Sequence, residues 1–184
     1  STLWLLDRER DDLWAKIQQP DGSLRELRVP VGKGYVGKVA LSGRPVNIRF
    51  DLYKDTDSVV SQQVDQQNGY RTCSLLCMPI FNAEGELIGV TQLLNKKKQG
   101  DFPAYNSQDW PHPPECWKAS FNRSDEEFME AFNIQAGVAI QNAKLFEKVK
   151  QQYAQIQQQE QMQRDILRSL TNGVISTNAA GEII

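Results

Sequence analysis

Two apolar runs, CSLLCMPIF at residues 73–81 and ELIGVTQLLN at 86–95, stand on either side of NAEG. No other feature limits the fold as tightly. Runs rich in branched and aromatic residues, joined by a four-residue loop that ends in glycine, form neighbouring antiparallel strands. So apolar a pair belongs at the centre of a sheet. Upstream, TLWLLD (2–7) and DLWAKI (12–17) flank the polar RERD, the pattern of a second hairpin, and PDGS then turns the chain. LRELRVPV (24–31) alternates apolar with charged residues, as a strand with one wet face does, and Pro30 weakens its ladder. RPVNI (44–48) adds a short strand. Five or six strands with few helices between them predict an α+β fold, an antiparallel sheet flanked by helices.

The helical signals are fewer. In GYVGKVALSG (34–43), Val36, Val39 and Ala40 recur at helical intervals and Gly43 ends a helix of about two turns. Residues 51–71 are polar, with Val59, Val60 and Val64 as one thin apolar stripe, which predicts a short, loosely held helix inside a long connection. Residues 98–120 carry four prolines and two tryptophans with no period and read as a loop. A helix then begins near Ser124 and runs without a breaker into a Gln-rich stretch. Its seam of Val149, Tyr153, Ile156, Glu160, Gln163, Leu167 and Leu170 alternates steps of four and three. Glu160 and Gln163 weaken that seam, so the stretch is either a weak parallel coiled coil between domains or a solvated single helix. The expected boundaries are a domain over 1–150, a linker helix over 151–168 and the start of a new unit over 169–184.

Composition removes several function classes. With a formal net charge of -2 and basic residues scattered apart from NKKK at 95–98, the chain offers no duplex-binding face. No run approaches the ~18 apolar residues of a spanning helix, and the opening residues read as a strand rather than a leader, so a cytoplasmic setting without a membrane is expected. Cys73, Cys77 and Cys116 are an odd count without C-x-x-C spacing and are expected as reduced thiols, with Cys73 and Cys77 as small core residues on one side of a strand. His112, the single histidine, sits between prolines, and neither a His-based triad nor a metal site finds its partners. GKGYVG (32–37) matches G-x-G-x-x-G with Asp57 beyond it. An alternating strand before it and a helix too short for a crossover argue against a dinucleotide fold. What remains is either a seat for one phosphate at the amides of Gly34, Tyr35 and Val36, or a plain turn and cap.

FNRSDEEF (121–128) asks for a cation. Ser124 and Glu127 fit a capping box, and Asp125 and Glu126 fall in the first turn, where acids suit the positive end of a helix. The strand ending QLLNKKK supplies Asn95 and Lys96. With that strand end beside the helix start, Lys96 meets Asp125 and Phe121 fills the gap beneath. Such a pair stabilises appreciably only when water is kept off it.

The set Asn95, Lys96, Phe121, Asp125 and Glu126 resembles the NKFDE signature of GAF domains from cyclic nucleotide phosphodiesterases and cyanobacterial adenylyl cyclases. VPVGKGYVGKVALSGRPVNI, NGYRTCSLLCMPIF, GELIGVTQLLNK and AGVAIQNAKLFEKV are similar to GAF sequence in the same order, over about residues 1–150. ILRSLTNGVISTNAAGEII resembles the opening of a PAS domain. The resemblance implies a GAF fold of about six strands with a long C-terminal helix, the first GAF helix being absent. It implies a regulatory domain rather than an enzyme, binding cAMP in preference to cGMP with no metal, and acting through a parallel homodimer on a distant adenylyl cyclase domain. It also implies that the phosphate meets the amides of Tyr35 and Val36, that Thr2, Asp65, Arg71 and Thr72 contact the ligand beneath a lid made by the long connection, and that the signature residues support lid and fold. Gln18 and Ser61 stand where some relatives stack an aromatic on the base, leaving purine identity to hydrogen bonds. The 97–120 insertion is longer than the family usually has. A GAF module that binds another small molecule, or none, and serves as a dimerisation platform is the alternative. A tetrapyrrole is disfavoured because no Cys-His dipeptide occurs.

Overall fold

The computed structural model describes residues 1–18 and 22–173, with side chains through 169. Six strands, β1 (Thr2–Asp7), β2 (Asp12–Gln18), β3 (Leu24–Pro30), β4 (Val46–Ile48), β5 (Leu75–Phe81) and β6 (Leu87–Leu94), form one sheet in the order β3-β2-β1-β6-β5-β4. Every neighbouring pair is antiparallel. The β5–β6 hairpin is central, as its composition requires. Its turn closes with the Gly85 N–H donating to the Asn82 carbonyl at 3.1 Å, and Gly85 takes a φ of 79° that glycine adopts without a Cβ penalty.

Alternation along the strands gives the sheet two apolar faces. On one, Trp4, Leu13, Ala15, Leu75, Cys77 and Val90 pack against Tyr35, Val36 and Val39 of α1 (Gly34–Ser42) and against Leu52. On the other, Leu76 and Met78 meet Phe121 and Met129, the latter from α3 (Arg123–Gly173). Leu13, Leu75, Leu76 and Ile80 are fully buried, each contributing about 1.5–3 kcal/mol relative to exposure. Between β4 and β5 the chain makes a 3-10 turn at Leu52–Lys54 and then α2 (Val59–Asn68). Residues 1–139 form one compact unit, and the part of α3 from Ile140 onward belongs to a second.

Four expectations are revised. The helix start is capped by Asn122 and Asp125, not by Ser124 and Glu127: the Asp125 N–H donates to Asn122 Oδ1 at 3.0 Å and the Asn122 N–H donates to Asp125 Oδ2 at 2.9 Å. Glu127 instead pairs with Arg123 in solvent. On α2, Val59, Val60 and Val64 face outward, and Asp65 is the buried residue. Cys73 and Cys77 are both buried but in different clusters, Cys77 under α1 and Cys73 beside Cys116 and Trp117. The proline-rich loop has short 3-10 turns at Ser107–Asp109 and Glu115–Trp117, and the stacked rings of Tyr70, Tyr105 and Trp117 order it. The long helix runs through Gly173, and the remainder of the new unit expected over 169–184 falls at 174–184, outside the described residues.

Candidate functional site

The turn before α1 explains its glycines. Gly32 N–H donates to the Gly37 carbonyl at 2.8 Å, Gly32 has a φ of 84° and Gly34 a φ of 58°. A Cβ on Gly37 would strike the Pro30 carbonyl oxygen. The G-x-G-x-x-G pattern therefore builds a tight fold-back from an edge strand into a short helix, with no parallel neighbour to make a dinucleotide crossover. Lys33 occupies the N-cap position, and no side chain caps α1. The amides of Gly34, Tyr35 and Val36 thus open the helix with its positive end uncapped, an arrangement suited to one anionic group. The Tyr35 hydroxyl donates to Asp55 Oδ1 at 2.7 Å, and burial together with that bond pushes its pKa up. Lys38 pairs with Asp57. Both acids lie on the stretch leading to α2, so the connection is fastened at its root to α1.

Asp65, Arg71 and Thr72 come together at the other end of that connection. Asp65 Oδ2 accepts from the Thr72 N–H at 2.6 Å and from the Tyr53 hydroxyl at 2.9 Å, while Oδ1 accepts from the Thr72 hydroxyl at 2.8 Å. Burial pushes the Asp65 carboxyl above its usual range, and the Thr72 and Tyr53 bonds oppose that rise. The Arg71 guanidinium, nearly fully buried, binds Asp51 and the Thr72 carbonyl and lies 3.2 Å over the centre of the Tyr53 ring. These polar atoms satisfy one another and clamp α2 to the entry of β5. Thr2 pairs with Gln92 at the start of β1 and shares the face of Trp4 by alternation, so it lies on the α1 side of the sheet but outside the bonded cluster.

The rim is assembled as its residues suggest. Lys96 Nζ pairs with Asp125, the two side chains 34% and 21% exposed, and Phe121 is buried with Leu76, Met78 and Met129. Burial alone would raise the Asp125 carboxyl, but the Lys96 bond, the Asn122 N–H and the Lys96 charge hold it below its ordinary value. Asn95 Oδ1 accepts from the Cys73 N–H at 2.6 Å, and its Nδ2 donates to the Arg71 carbonyl and the Tyr70 hydroxyl. Glu126 accepts from Asn47 Nδ2 at 2.6 Å. Asn95 thus reaches the Arg71–Cys73 stretch, linking the rim to the clamp.

Sequence reasoning passed over Tyr53, Asp51 and Asp55, which hold these groups in place. Nothing in their spacing marks them, because each acts through contacts distant in sequence. A cleft of about 840 Å³ lies on the opposite face between Met78, Phe81 and the first turns of α3, away from α1 and α2. Among the described residues no cluster of His, Cys, Asp and Glu could hold a metal, and no helix is long and apolar enough to cross a membrane.

Residues 1–140 match the GAF domain family. The chain is 37% identical over 134 residues to the dual 3',5'-cyclic-AMP and -GMP phosphodiesterase 11A of Takifugu rubripes, covering 73% of this chain and 12% of that protein. It is 34% identical over 150 residues to the cGMP-specific 3',5'-cyclic phosphodiesterase of Drosophila erecta, covering 82% of this chain and again 12% of the relative. The match therefore spans about an eighth of each relative's length. Among solved structures, the GAF domain of a Coxiella burnetii phosphoenolpyruvate-protein phosphotransferase superposes with a TM-score of 0.55 at 16% identity, covering 78% of this chain and 72% of that one. The Acinetobacter counterpart gives 0.53 at 17%, covering 78% and 71%, a likeness of fold alone. An antiparallel six-stranded sheet with α1 over one face and the start of a long C-terminal helix on the other, together with these matches, establishes that the chain belongs to the GAF domain family.

Proposed function

We propose that this GAF domain is a regulatory sensor that encloses a cyclic nucleotide, cAMP in preference to cGMP, between the sheet and the connection carrying α2. The observation that carries this reading is the uncapped N-terminus of α1 on the same sheet face as a connection anchored at both ends, at Asp55 and Asp57 and again at Asp65. The names of the phosphodiesterase relatives add cyclic nucleotides as the ligand class. In this reading the amides of Tyr35 and Val36 take the phosphate, the hydroxyls of Thr2 and Thr72 together with Asp65 and Arg71 meet the ribose and base, and Asn95, Lys96, Phe121, Asp125 and Glu126 act as an NKFDE signature that steadies the lid. A cyclic nucleotide presents one charge and a flat apolar base, which an enclosed pocket with few fixed donors suits.

The protein would act inside the cell, passing occupancy through α3 to an output domain. An adenylyl cyclase beyond a PAS domain is one such output, and a phosphodiesterase is the one the relatives' names suggest. A GAF domain over 1–150 and a linker over 151–168 frame that route. Val149, Tyr153, Ile156 and Leu167 are all more than half exposed, which favours pairing of two linker helices in a parallel homodimer.

Calorimetry of the 184-residue chain with cAMP and with cGMP tests the reading. Saturable binding of one or both is expected. Thr72→Ala should weaken it about tenfold through loss of one hydrogen bond and its hold on Asp65, with Thr72→Ser restoring most of the affinity. No heat with either nucleotide at micromolar concentration, and no nucleotide retained through purification, would overturn it.

A further inference from the structure

The cleft between β4, β5 and the first turns of α3 has a volume of about 840 Å³, the size of a small-molecule site, and the cyclic-nucleotide reading makes no use of it. Its apolar lining includes Met78, Phe81, Phe121 and Ile134. Charge is left uncompensated on both walls. On α3, Glu126 and Glu130 stand one helical turn apart, where like charges repel, and neither forms an ion pair with a Lys or Arg among the described residues. Glu127 is different, since Arg123 neutralises it at 2.9 Å. On the other wall Arg49, just beyond β4, has no carboxylate partner among the described residues. Opposite charges that line one cleft without meeting suit a molecule that carries both.

Asn47, on β4, lines the same cleft. Its Nδ2 donates to Glu126 Oε1 at 2.6 Å and to the Phe121 carbonyl at 3.2 Å, which fixes the orientation of the amide. The Oδ1 atom is buried and meets no donor among the described residues. Native proteins keep few such groups, because an unmet buried acceptor is unfavourable. A cationic donor beside Glu126 would answer it.

We propose that this cleft is a second ligand site and that it takes a free amino acid with a large apolar side chain. The ammonium group sits between Glu126 and Glu130, next to the unmet Asn47 carbonyl, while the carboxylate pairs with Arg49. The side chain covers Met78, Phe81, Phe121 and Ile134. A simple amine leaves Arg49 unanswered, and a carboxylic acid leaves the two glutamates unanswered. Only the zwitterion matches both walls. Its occupancy would brace β4 and β5 against the first turns of α3, with or without a nucleotide on the other side of the sheet.

Calorimetry and 1H–15N spectra of the 184-residue chain, titrated without nucleotide with L-phenylalanine, L-leucine and L-methionine, test the site. At least one should bind saturably and shift the Asn47 side-chain amide together with the backbone amides of residues 126–134. If phenylalanine binds, 2-phenylethylamine and 3-phenylpropanoate, which each keep one of its charges, should bind roughly three- to tenfold more weakly. The corresponding amine and acid serve for the other two. Glu130→Gln and Arg49→Gln, both at exposed positions, should each weaken binding by roughly the same factor and leave the Tm unchanged. No saturable binding of any of the three at millimolar concentration, equal affinity for the amine or the acid alone, or unchanged affinity in either variant overturns the proposal. The sensor reading stands or falls separately, because neither the titrant nor the reporting signals are shared.

Discussion

Asn95 has a backbone φ of 58°, in the left-handed region where asparagine is tolerated better than most side chains. Its amide then fills three roles at once, accepting from Cys73 and donating to Arg71 and Tyr70. Glycine would supply the conformation and lose the bonds. Lys96 follows directly, and its pair with Asp125 titrates with a definite sign. Because the folded-state pKa of Asp125 is lowered, the pair's stabilisation is fully present above the ordinary carboxyl range and is lost as pH falls through the folded value. Asp125→Asn should therefore cost about 1–2 kcal/mol at neutral pH, between the figures for surface and buried pairs. It should also flatten the decline of stability below about pH 4 in a series of urea titrations. An unchanged acid limb would show that the pair contributes nothing. Lys96, Phe121 and Asp125 were legible in the sequence because a cation ending an apolar run and an aromatic before an acidic pair each lack a local role. Asn122 was not legible, since Ser124 and Glu127 satisfy the same capping rule two residues later.

α2 shows how an element can be found and its buried face misread. Its position was readable from Val59, Val60 and Val64, yet those valines are 58%, 59% and 49% exposed and Asp65 turns inward. Apolar periodicity places a residue inward only when no polar residue has better partners there. Asp65 has them, in two groups of Thr72 and in Tyr53, both outside the helix. Val60→Ser and Val64→Ser should accordingly change unfolding free energy by no more than about 0.5 kcal/mol. Asp65→Ala should cost about 2–4 kcal/mol by leaving buried donors unpaired. Chemical denaturation of the three variants checks this, and equal losses would mean that the valines pack after all. The β5–β6 hairpin was the reverse case, read correctly because burial on both faces leaves an unbroken apolar signal.

For the molecule as a whole, the two hairpins, the α+β class and the uninterrupted helix followed from pattern, whereas the order of the strands and the clamp around Arg71 did not, because charges that neutralise one another from residues 51 to 72 leave no periodic trace. The long helix is tied to the sheet at Asn133, whose amide donates to the Pro79 carbonyl at 3.0 Å and to Thr91 Oγ1 at 2.9 Å. It is tied again at Gly137, where a Cβ would overlap the Phe81 carbonyl oxygen. Gly137→Ala should therefore destabilise the chain by about 1–3 kcal/mol through overpacking, although alanine favours a helix by about 1 kcal/mol over glycine. A raised Tm in this variant would show that the approach is loose. With backbone meeting backbone at that point, the helix base has no clearance to slide lengthwise past the hairpin tip. The turn of helix at residues 133–137 must then follow the hairpin as one piece whenever either is displaced.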